Sequence, residues 1–309
     1  MTELGTDQIG WIGTGRMGLP MADRLVKGGA RLFAWNRTRA KAEPLIAGGA
    51  TLVARPADLV ECDIVFTMVA AGGDLRSVTL GPDGLFSGKR TPAILVDCST
   101  VDEEDSTVVR EHASARGTAM LASPVSGNGK VVKAGKLSVV VSGPKDAYLR
   151  ALPYLERLGQ GVSYVGDGEL ARIVKICHNV FLGVVIQSLV EITALAEKSG
   201  VSRHAFLEFI NKSVMGSVFT RYKTPALVNC DFTPTFTPLL LRKDLELGLA
   251  AGKRTDTPMP LAAATREIIQ ALIGLGYKEQ DFAALMVQQA RNSGYALEPE
   301  NLPVSDGLA

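Results

Sequence analysis

Three glycines, spaced as Gly13-Thr14-Gly15-Arg16-Met17-Gly18, stand between an apolar run ending at Ile12 and an amphipathic segment beginning at Met17. They leave the backbone few choices. In such a turn the first glycine permits the tight reversal and the second lets a pyrophosphate approach the main chain. The third lets helix and strand pack closely. Free N–H groups at the helix start then face the phosphate charge. A strand, this turn, a helix and a second strand follow in that order, so all six residues are candidates for binding a dinucleotide. A purely structural glycine turn is the alternative.

The second apolar run ends Trp35-Asn36-Arg37-Thr38. An NAD-specific site places an acid about 20 positions past the glycine motif, where it accepts from the ribose hydroxyls. Here that place holds Asn36, followed by a cation and a hydroxyl. A carboxylate would repel a 2′-phosphate, whereas Asn36, Arg37 and Thr38 can each donate to one. NADP (NADPH) is the expected cofactor; Arg37 as a solvated residue at the start of a helix is the other reading.

The β-branched runs 8–13, 31–35, 63–68, 93–97, 119–122 and 137–142 predict strands, with amphipathic segments such as 17–27 and 39–47 between the early ones. Strands that alternate with helices imply βαβ units and a mainly parallel sheet. Beyond about residue 163 the strand signals stop. Helices are expected over 169–199, 202–213, 239–251, 261–275 and 280–292. The fold class is thus α/β: an N-terminal Rossmann-type dinucleotide-binding domain, 1–165, then an all-helical domain, 166–309. The segment 180–192 is apolar on nearly every side, which predicts a helix enclosed by protein. Part of that enclosure is expected from a second subunit, hence a homodimer or dimer-based oligomer. The polar, proline-containing tail 298–309 is expected on the surface or frayed.

Composition narrows the function. With 33 basic and 32 acidic residues the net charge is +1, which gives no basis for nucleic acid as a partner. The apolar stretch 173–196 is interrupted by Lys175, His178, Asn179, Gln187 and Glu191, which argues against a membrane span. Residues 1–7 are polar and carry no targeting pattern. Cys62, Cys98, Cys177 and Cys230 form no CxxC pair, and the three histidines are scattered, so no metal site is expected. Reduced thiols and a cytoplasmic location follow as expectations.

At this point the chain resembles the β-hydroxyacid dehydrogenase family, the group of 3-hydroxyisobutyrate and tartronate semialdehyde dehydrogenases and glyoxylate/succinic semialdehyde reductases. The likeness runs over nearly the whole chain. It rests on Trp11 through Met21, then Asp97-Cys98-Ser99-Thr100 and Pro124-Val125-Ser126-Gly127. It continues with Lys175 and Asn179, then Phe232, Phe236 and Lys243-Asp244-Leu245. Ala122-Ser123 replaces the family's usual Asp-Ala, Asn128 a glycine, and Glu169 and Ala171 stand where glycines are usual. These departures lie near the expected substrate pocket and bear on substrate identity.

The resemblance implies a site in the cleft between the two domains. It gives Lys175 the proton-transfer role and Asn179 the orientation of the substrate; the two are i and i+4 on one helix. Apolar neighbours around Lys175 would disfavour its charged form, although a lysine in an apolar helix also snorkels to solvent. Ser126, Gly127 and Asn128 would cradle a substrate carboxylate, or form an ordinary turn. Thr100 with Ser99, and Val69 with Ala70, would lie near the nicotinamide at strand ends. Lys243 would reach the cofactor or substrate, while Asp244 could equally be a helix-surface charge. Cys98 and Cys177 are assigned packing roles.

The implied activity is NADP-dependent interconversion of a small carboxylate-bearing β-hydroxy acid, or related hydroxy acid, and its semialdehyde or keto acid. Imine reductases and reductive aminases share the architecture but typically carry Asp or Tyr in place of the lysine. 6-Phosphogluconate dehydrogenase has a similar Lys-x-x-His-Asn helix in a much longer chain. A non-catalytic NADP-binding interaction protein is the reading from a different class.

Overall fold

The structure, a computed structural model, describes residues 4–308. It divides into two compact units, Met1–Lys175 and Ile176–Ala309.

In the first unit six strands form one sheet: β1 (Gln8–Ile12), β2 (Arg31–Trp35), β3 (Thr51–Leu52), β4 (Ile64–Thr67), β5 (Ile94–Asp97) and β6 (Ala119–Ala122). Their order is β3-β2-β1-β4-β5-β6, and every neighbouring pair is parallel. Every residue of β4 and β5 is buried. Coverage on both faces explains why these strands read as continuous apolar runs rather than alternating ones. Successive residues enter opposite cores: Ile64 and Phe66 pack with Trp11, Leu25 and Leu121, whereas Val65 packs with Ile12, Leu75 and Val109.

The covering helices are α1 (Gly18–Lys27), α2 (Gly72–Leu80), α3 (Glu103–Ala115), α4 (Gly129–Lys133) and α5 (Lys145–Leu158). A smaller sheet of β7 (Val125–Ser126), β8 (Ser138–Val141) and β9 (Gly161–Tyr164) follows, joined to β6 by the bridge Ala122 to Ser142. Three strands thus escape the sequence pattern: β3 and β7, of two residues each, and β9, which runs past the point where strand signals fade. The amphipathic segment 39–47 forms two short 3-10 pieces, with Pro44 opening the second. Since β1 lies between β2 and β4, the chain reverses direction across the sheet there, and the crevice outside those strand ends is where such sheets bind ligands.

Every element described in the second unit is helical. The helix α6 (Leu170–Lys198) leads into it, followed by α7 (Arg203–Lys212), α8 (Val218–Asn229), α9 (Pro238–Arg254), α10 (Pro260–Gly274) and α11 (Leu285–Asn292). The expected domain boundary at 165/166 falls before α6. The compact units part at Lys175 because the first turn of α6 is tied to the sheet through Arg172. Val180, Ile186, Leu189 and Val190 of α6 pack with Leu241, Leu245 and Ile269. Gly248 permits this closeness, since a Cβ there would lie 2.2 Å from Val180.

Within the chain the run 180–192 is only partly enclosed, with Phe181 69% exposed and Ile192 41% exposed, which leaves open the share of enclosure expected from a second subunit. By length and composition alone α6 could also cross a bilayer. Of the two readings of the tail 298–309, surface or frayed, the surface one holds: 298–307 is exposed or half-buried, yet tied down by hydrogen bonds. Glu300 accepts from the N–H groups of Arg203 and His204, Leu302 bonds Asn229 in both directions, and Leu308 is buried. Ala309 and residues 1–3 lie outside the described residues.

Candidate functional site

The glycine turn leaves β1 as the motif requires. Gly13 has φ +99°, and a Cβ on it would stand 2.3 Å from the Met68 carbonyl oxygen at the end of β4. A Cβ on Gly18 would stand 2.0 Å from the Gly13 oxygen, whereas a Cβ on Gly15 would meet nothing within 4 Å. So the first and third glycines are fixed by close approach, and the second faces open space where a phosphate can reach the backbone. The start of α1 carries no side-chain cap and no acid in its first turn. Thr14 Oγ1 is buried and makes no hydrogen bond with the described residues. An unsatisfied hydroxyl, an uncapped helix start and an open glycine fit an anionic pyrophosphate.

Asn36 serves this turn. Its Oδ1 accepts the Thr14 N–H at 2.8 Å and its Nδ2 donates to the Thr38 carbonyl at 2.8 Å. Much of its hydrogen-bonding capacity therefore holds the loop rather than pointing outward, which the sequence reading missed. Arg37 is 84% exposed and pairs loosely with Asp74, at 3.3 Å.

At the ends of β4 and β5 the structure separates Ser99 from Thr100. Ser99 is fully buried, and its Oγ accepts the Val69 N–H at 2.9 Å. It braces the 69–70 loop, and Thr100 and Ala70 are the more open residues of the two loops. Burial, with the Asp97 carboxylate beside it, pushes the Cys98 thiol far above its ordinary range, in keeping with packing. Cys177 is exposed, so the packing role expected for it is not supported.

Ser126 ends β7, and Gly127 follows with φ +137°, where a Cβ would meet Val131 at 2.7 Å. Asn128 caps α4, its Oδ1 accepting from the N–H groups of Lys130 and Val131 at 3.0 and 3.1 Å. What Asn128 retains toward a ligand is therefore donors, the polarity a carboxylate needs.

Lys175 lies in the second turn of α6 and is partly exposed. Its neighbours Ile173 and Val174 are also open to solvent, so the apolar surround expected from their sequence is not built by the helix itself. One turn further, Asn179 is buried; its Nδ2 donates to Asp244 Oδ2 at 2.6 Å, and its Oδ1 lies 2.9 Å from His178 Nδ1. Asp244 is 3% exposed, which decides between the two readings left open for it. The signal was available: Leu241, Asp244, Leu245 and Gly248 form an i, i+3, i+4, i+7 stripe, the buried face of α9. Lys243 is the exposed member, 3.7 Å from Asp244 Oδ1. Glu169, which sequence reasoning connected with substrate choice, accepts instead from Arg110, Ser106 and Arg172. Among the described residues no group of His, Cys, Asp and Glu is arranged to hold a metal.

A parallel sheet with this strand order, this glycine turn at its reversal point and a following helical unit define the class of NAD(P)-dependent oxidoreductases. The NAD binding domain of 6-phosphogluconate dehydrogenase matches residues 8–166, and the NAD-binding region of NADP-dependent 3-hydroxyisobutyrate dehydrogenase matches 169–288. The 3-hydroxyisobutyrate dehydrogenase of Pseudomonas aeruginosa is 31% identical over 90% of this chain and 96% of its own. The chloroplastic glyoxylate/succinic semialdehyde reductase 2 of Arabidopsis thaliana is 30% identical over 92% of this chain and 80% of its own. The human cytokine-like nuclear factor N-PAC is 31% identical over 90% of this chain, which spans 50% of that protein. Among solved structures, Mycobacterium tuberculosis 3-hydroxyisobutyrate dehydrogenase with L-serine superposes with TM-score 0.77 at 28% identity, covering 91% and 98% of the two chains. The chain belongs to the β-hydroxyacid dehydrogenase family, in its 3-hydroxyisobutyrate dehydrogenase-like group.

Proposed function

We propose that the protein is an NADP-dependent enzyme interconverting a small carboxylate-bearing hydroxy acid and its semialdehyde or keto acid. Lys175 is the general acid and base. The observation that carries this is the first turn of α6, which Arg172 ties to Asp97 and the Ser99 carbonyl, so that the helix of Lys175 starts from the ends of the strands that supply the 69–70 and 99–100 loops. Bound NADPH would supply a hydride to the carbonyl carbon. Lys175 Nζ then gives its proton to the developing alkoxide oxygen, and Asn179, held by Asp244, orients the substrate. Ser126, Gly127 and the donors of Asn128 hold the carboxylate. Lys243 reaches the cofactor or substrate from α9. The relatives' names support the substrate class, as does L-serine, a β-hydroxy acid with a carboxylate, in the mycobacterial structure.

A panel of glyoxylate, succinic semialdehyde, methylmalonate semialdehyde, tartronate semialdehyde and a cyclic imine, each with NADPH, tests the reading. Charge-assisted hydrogen bonds contribute roughly 1.5–3 kcal/mol each. Methyl esters of the good substrates should therefore lose at least ~10-fold in kcat/KM. Equal efficiency for acid and ester would contradict the carboxylate cradle.

For the cofactor, the exposed pair of Arg37 with Asp74 contributes little, on the order of 0–1 kcal/mol, so the guanidinium is available to a 2′-phosphate. Wild type should favour NADPH over NADH by at least ~10-fold in efficiency. Asn36→Asp with Arg37→Ala should reverse the order. An aspartate at 36 can still accept the Thr14 N–H while its charge repels a 2′-phosphate. No shift in the double variant would place specificity elsewhere.

The exposed Phe181, Ile192 and Leu195 on α6 support a homodimer; a monomer mass by light scattering would contradict it. A cytoplasmic enzyme without nucleic acid or membrane partners completes the reading. N-PAC is named as a nuclear factor and not as an enzyme, which keeps one alternative in view, a non-catalytic NADP-binding interaction protein. Tight NADPH binding with a flat 340 nm trace across the whole panel would select that alternative.

A further inference from the structure

Arg172 lies one helical turn before Lys175 and is 3% exposed. Its Nη2 donates to Asp97 Oδ2 at 2.6 Å, its Nη1 to the Ser99 carbonyl at 3.0 Å and its Nε to Glu169 Oε2 at 3.0 Å. The other Asp97 oxygen accepts from Thr67 Oγ1 at 2.7 Å and from the Ser99 N–H at 3.1 Å. Glu169 in turn accepts from Arg110 Nε at 2.5 Å and Ser106 Oγ at 2.8 Å. With Ser99 Oγ holding the Val69 N–H, the ends of β4 and β5, both loops after them and the first turn of α6 are one hydrogen-bonded body.

Stability is a weak reason for this arrangement. Desolvating buried charges offsets much of their attraction, and apolar residues of similar volume often do as well. What a planar guanidinium spanning two carboxylates and a carbonyl provides is geometry, because it fixes direction as well as distance. Arg172 and Lys175 are i and i+3, neighbours on the helix surface. Any slip of the first turn along the sheet edge carries Lys175 with it. A misplacement of about 1 Å can lower a rate by ~10²-fold.

The geometry points to Arg172, with Asp97 and Glu169, as a positioning residue for proton transfer. It sets the place of Lys175 Nζ relative to the 69–70 and 99–100 loops, which would flank the nicotinamide. This rests on the reading of Lys175 given above. Glu169, in a position where the resemblance leads to a glycine, is the part of the brace peculiar to this chain's motif.

Two conservative variants test it. Arg172→Lys keeps a cation between the carboxylates but cannot reach both of them and the Ser99 carbonyl together. Glu169→Gln keeps the shape and removes one charge. Both should bind NADPH within about threefold of wild type by fluorescence titration, so turnover can be expressed per binding site. On that basis kcat should fall ~10²-fold in Arg172→Lys and ~10-fold in Glu169→Gln. The deuterium isotope effect on kcat with labelled NADPH should rise, since chemistry becomes slow relative to product release.

A merely structural brace would lower the Tm but leave kcat per binding site and the isotope effect unchanged, and that result overturns the proposal. If Arg172→Lys does not fold, Glu169→Gln decides by the same two readouts. A wild type inert toward every aldehyde, or an unimpaired Lys175→Ala, overturns the reading of Lys175 and the brace with it. An active wild type, an inactive Lys175→Ala and unimpaired Arg172→Lys and Glu169→Gln overturn the brace alone.

Discussion

Lys175→Ala is expected to reduce turnover by ~10²–10⁴-fold, the usual contribution of one positioned acid–base group, while NADPH binding stays nearly unchanged. The side chain stands on the open second turn of α6, and the pyrophosphate-binding features lie on β1 and α1, so its removal leaves the cofactor's contacts in place. Lys175→Arg sharpens the result. An arginine keeps a positive charge but holds its proton through the whole working pH range. It should therefore be nearly as slow as alanine if proton transfer is the function, and much faster if the charge alone stabilises the alkoxide. Single-turnover oxidation of bound NADPH, read at 340 nm, measures the chemical step directly. A variant Lys175→Ala that keeps more than about a tenth of wild-type turnover would show that the proton comes from another group.

How far the sequence foretold this site follows from how local each constraint is. The roles of Gly13 and Gly18 are set by backbone atoms within a few residues or on the adjoining strand, so spacing alone reveals them. The strands β4 and β5 are buried on both faces and announce themselves as apolar runs. Other features depend on partners far along the chain. Strand β3 pairs at only two positions with β2. Neither α5 nor α8 was singled out from sequence, and Pro153 and Pro225 inside them mask the helical pattern. Arg172 finds Asp97 across 75 residues, and Asn179 finds Asp244 across 65. The positions of Lys175 and Asn179 were legible; the carboxylates that hold their surroundings were not, because a buried charge is recognisable only once its counterion is known.

The largest expected loss of stability lies in the helical unit. Lys223 and Asp281 are 2% and 3% exposed, and Lys223 Nζ sits 2.6 Å from Asp281 Oδ1 and 4.0 Å from the Phe282 ring centroid. The second carboxylate oxygen accepts from the N–H and hydroxyl of Thr235, at 2.9 and 2.6 Å. Asp281 is thus ringed by donors on both sides, and the Thr235 loop it holds leads directly into α9, the helix of Lys243 and Asp244. Asp281→Asn turns an NH₂ group toward one of those sets of donors and leaves the ammonium of Lys223 buried beside a neutral group. Breaking a buried pair in this way costs about 3–5 kcal/mol, which corresponds to a fall in Tm on the order of 10 °C. The pH dependence carries the sign. Burial alone would raise the Asp281 carboxyl, but the Lys223 charge and the hydrogen bonds from Lys223, Thr235 and the Ala283 N–H outweigh it and hold it below its ordinary 3.8. A carboxyl depressed by folding stabilises the native state fully above its unfolded pKa, and that contribution fades as pH falls through the folded value. The difference in Tm between wild type and Asp281→Asn should therefore be largest near pH 7 and shrink as pH falls below about 4. Calorimetric scans of both proteins across that range check it; a gap in Tm that is absent at pH 7, or that widens in acid, would show that Asp281 does not carry the charge that holds Lys223.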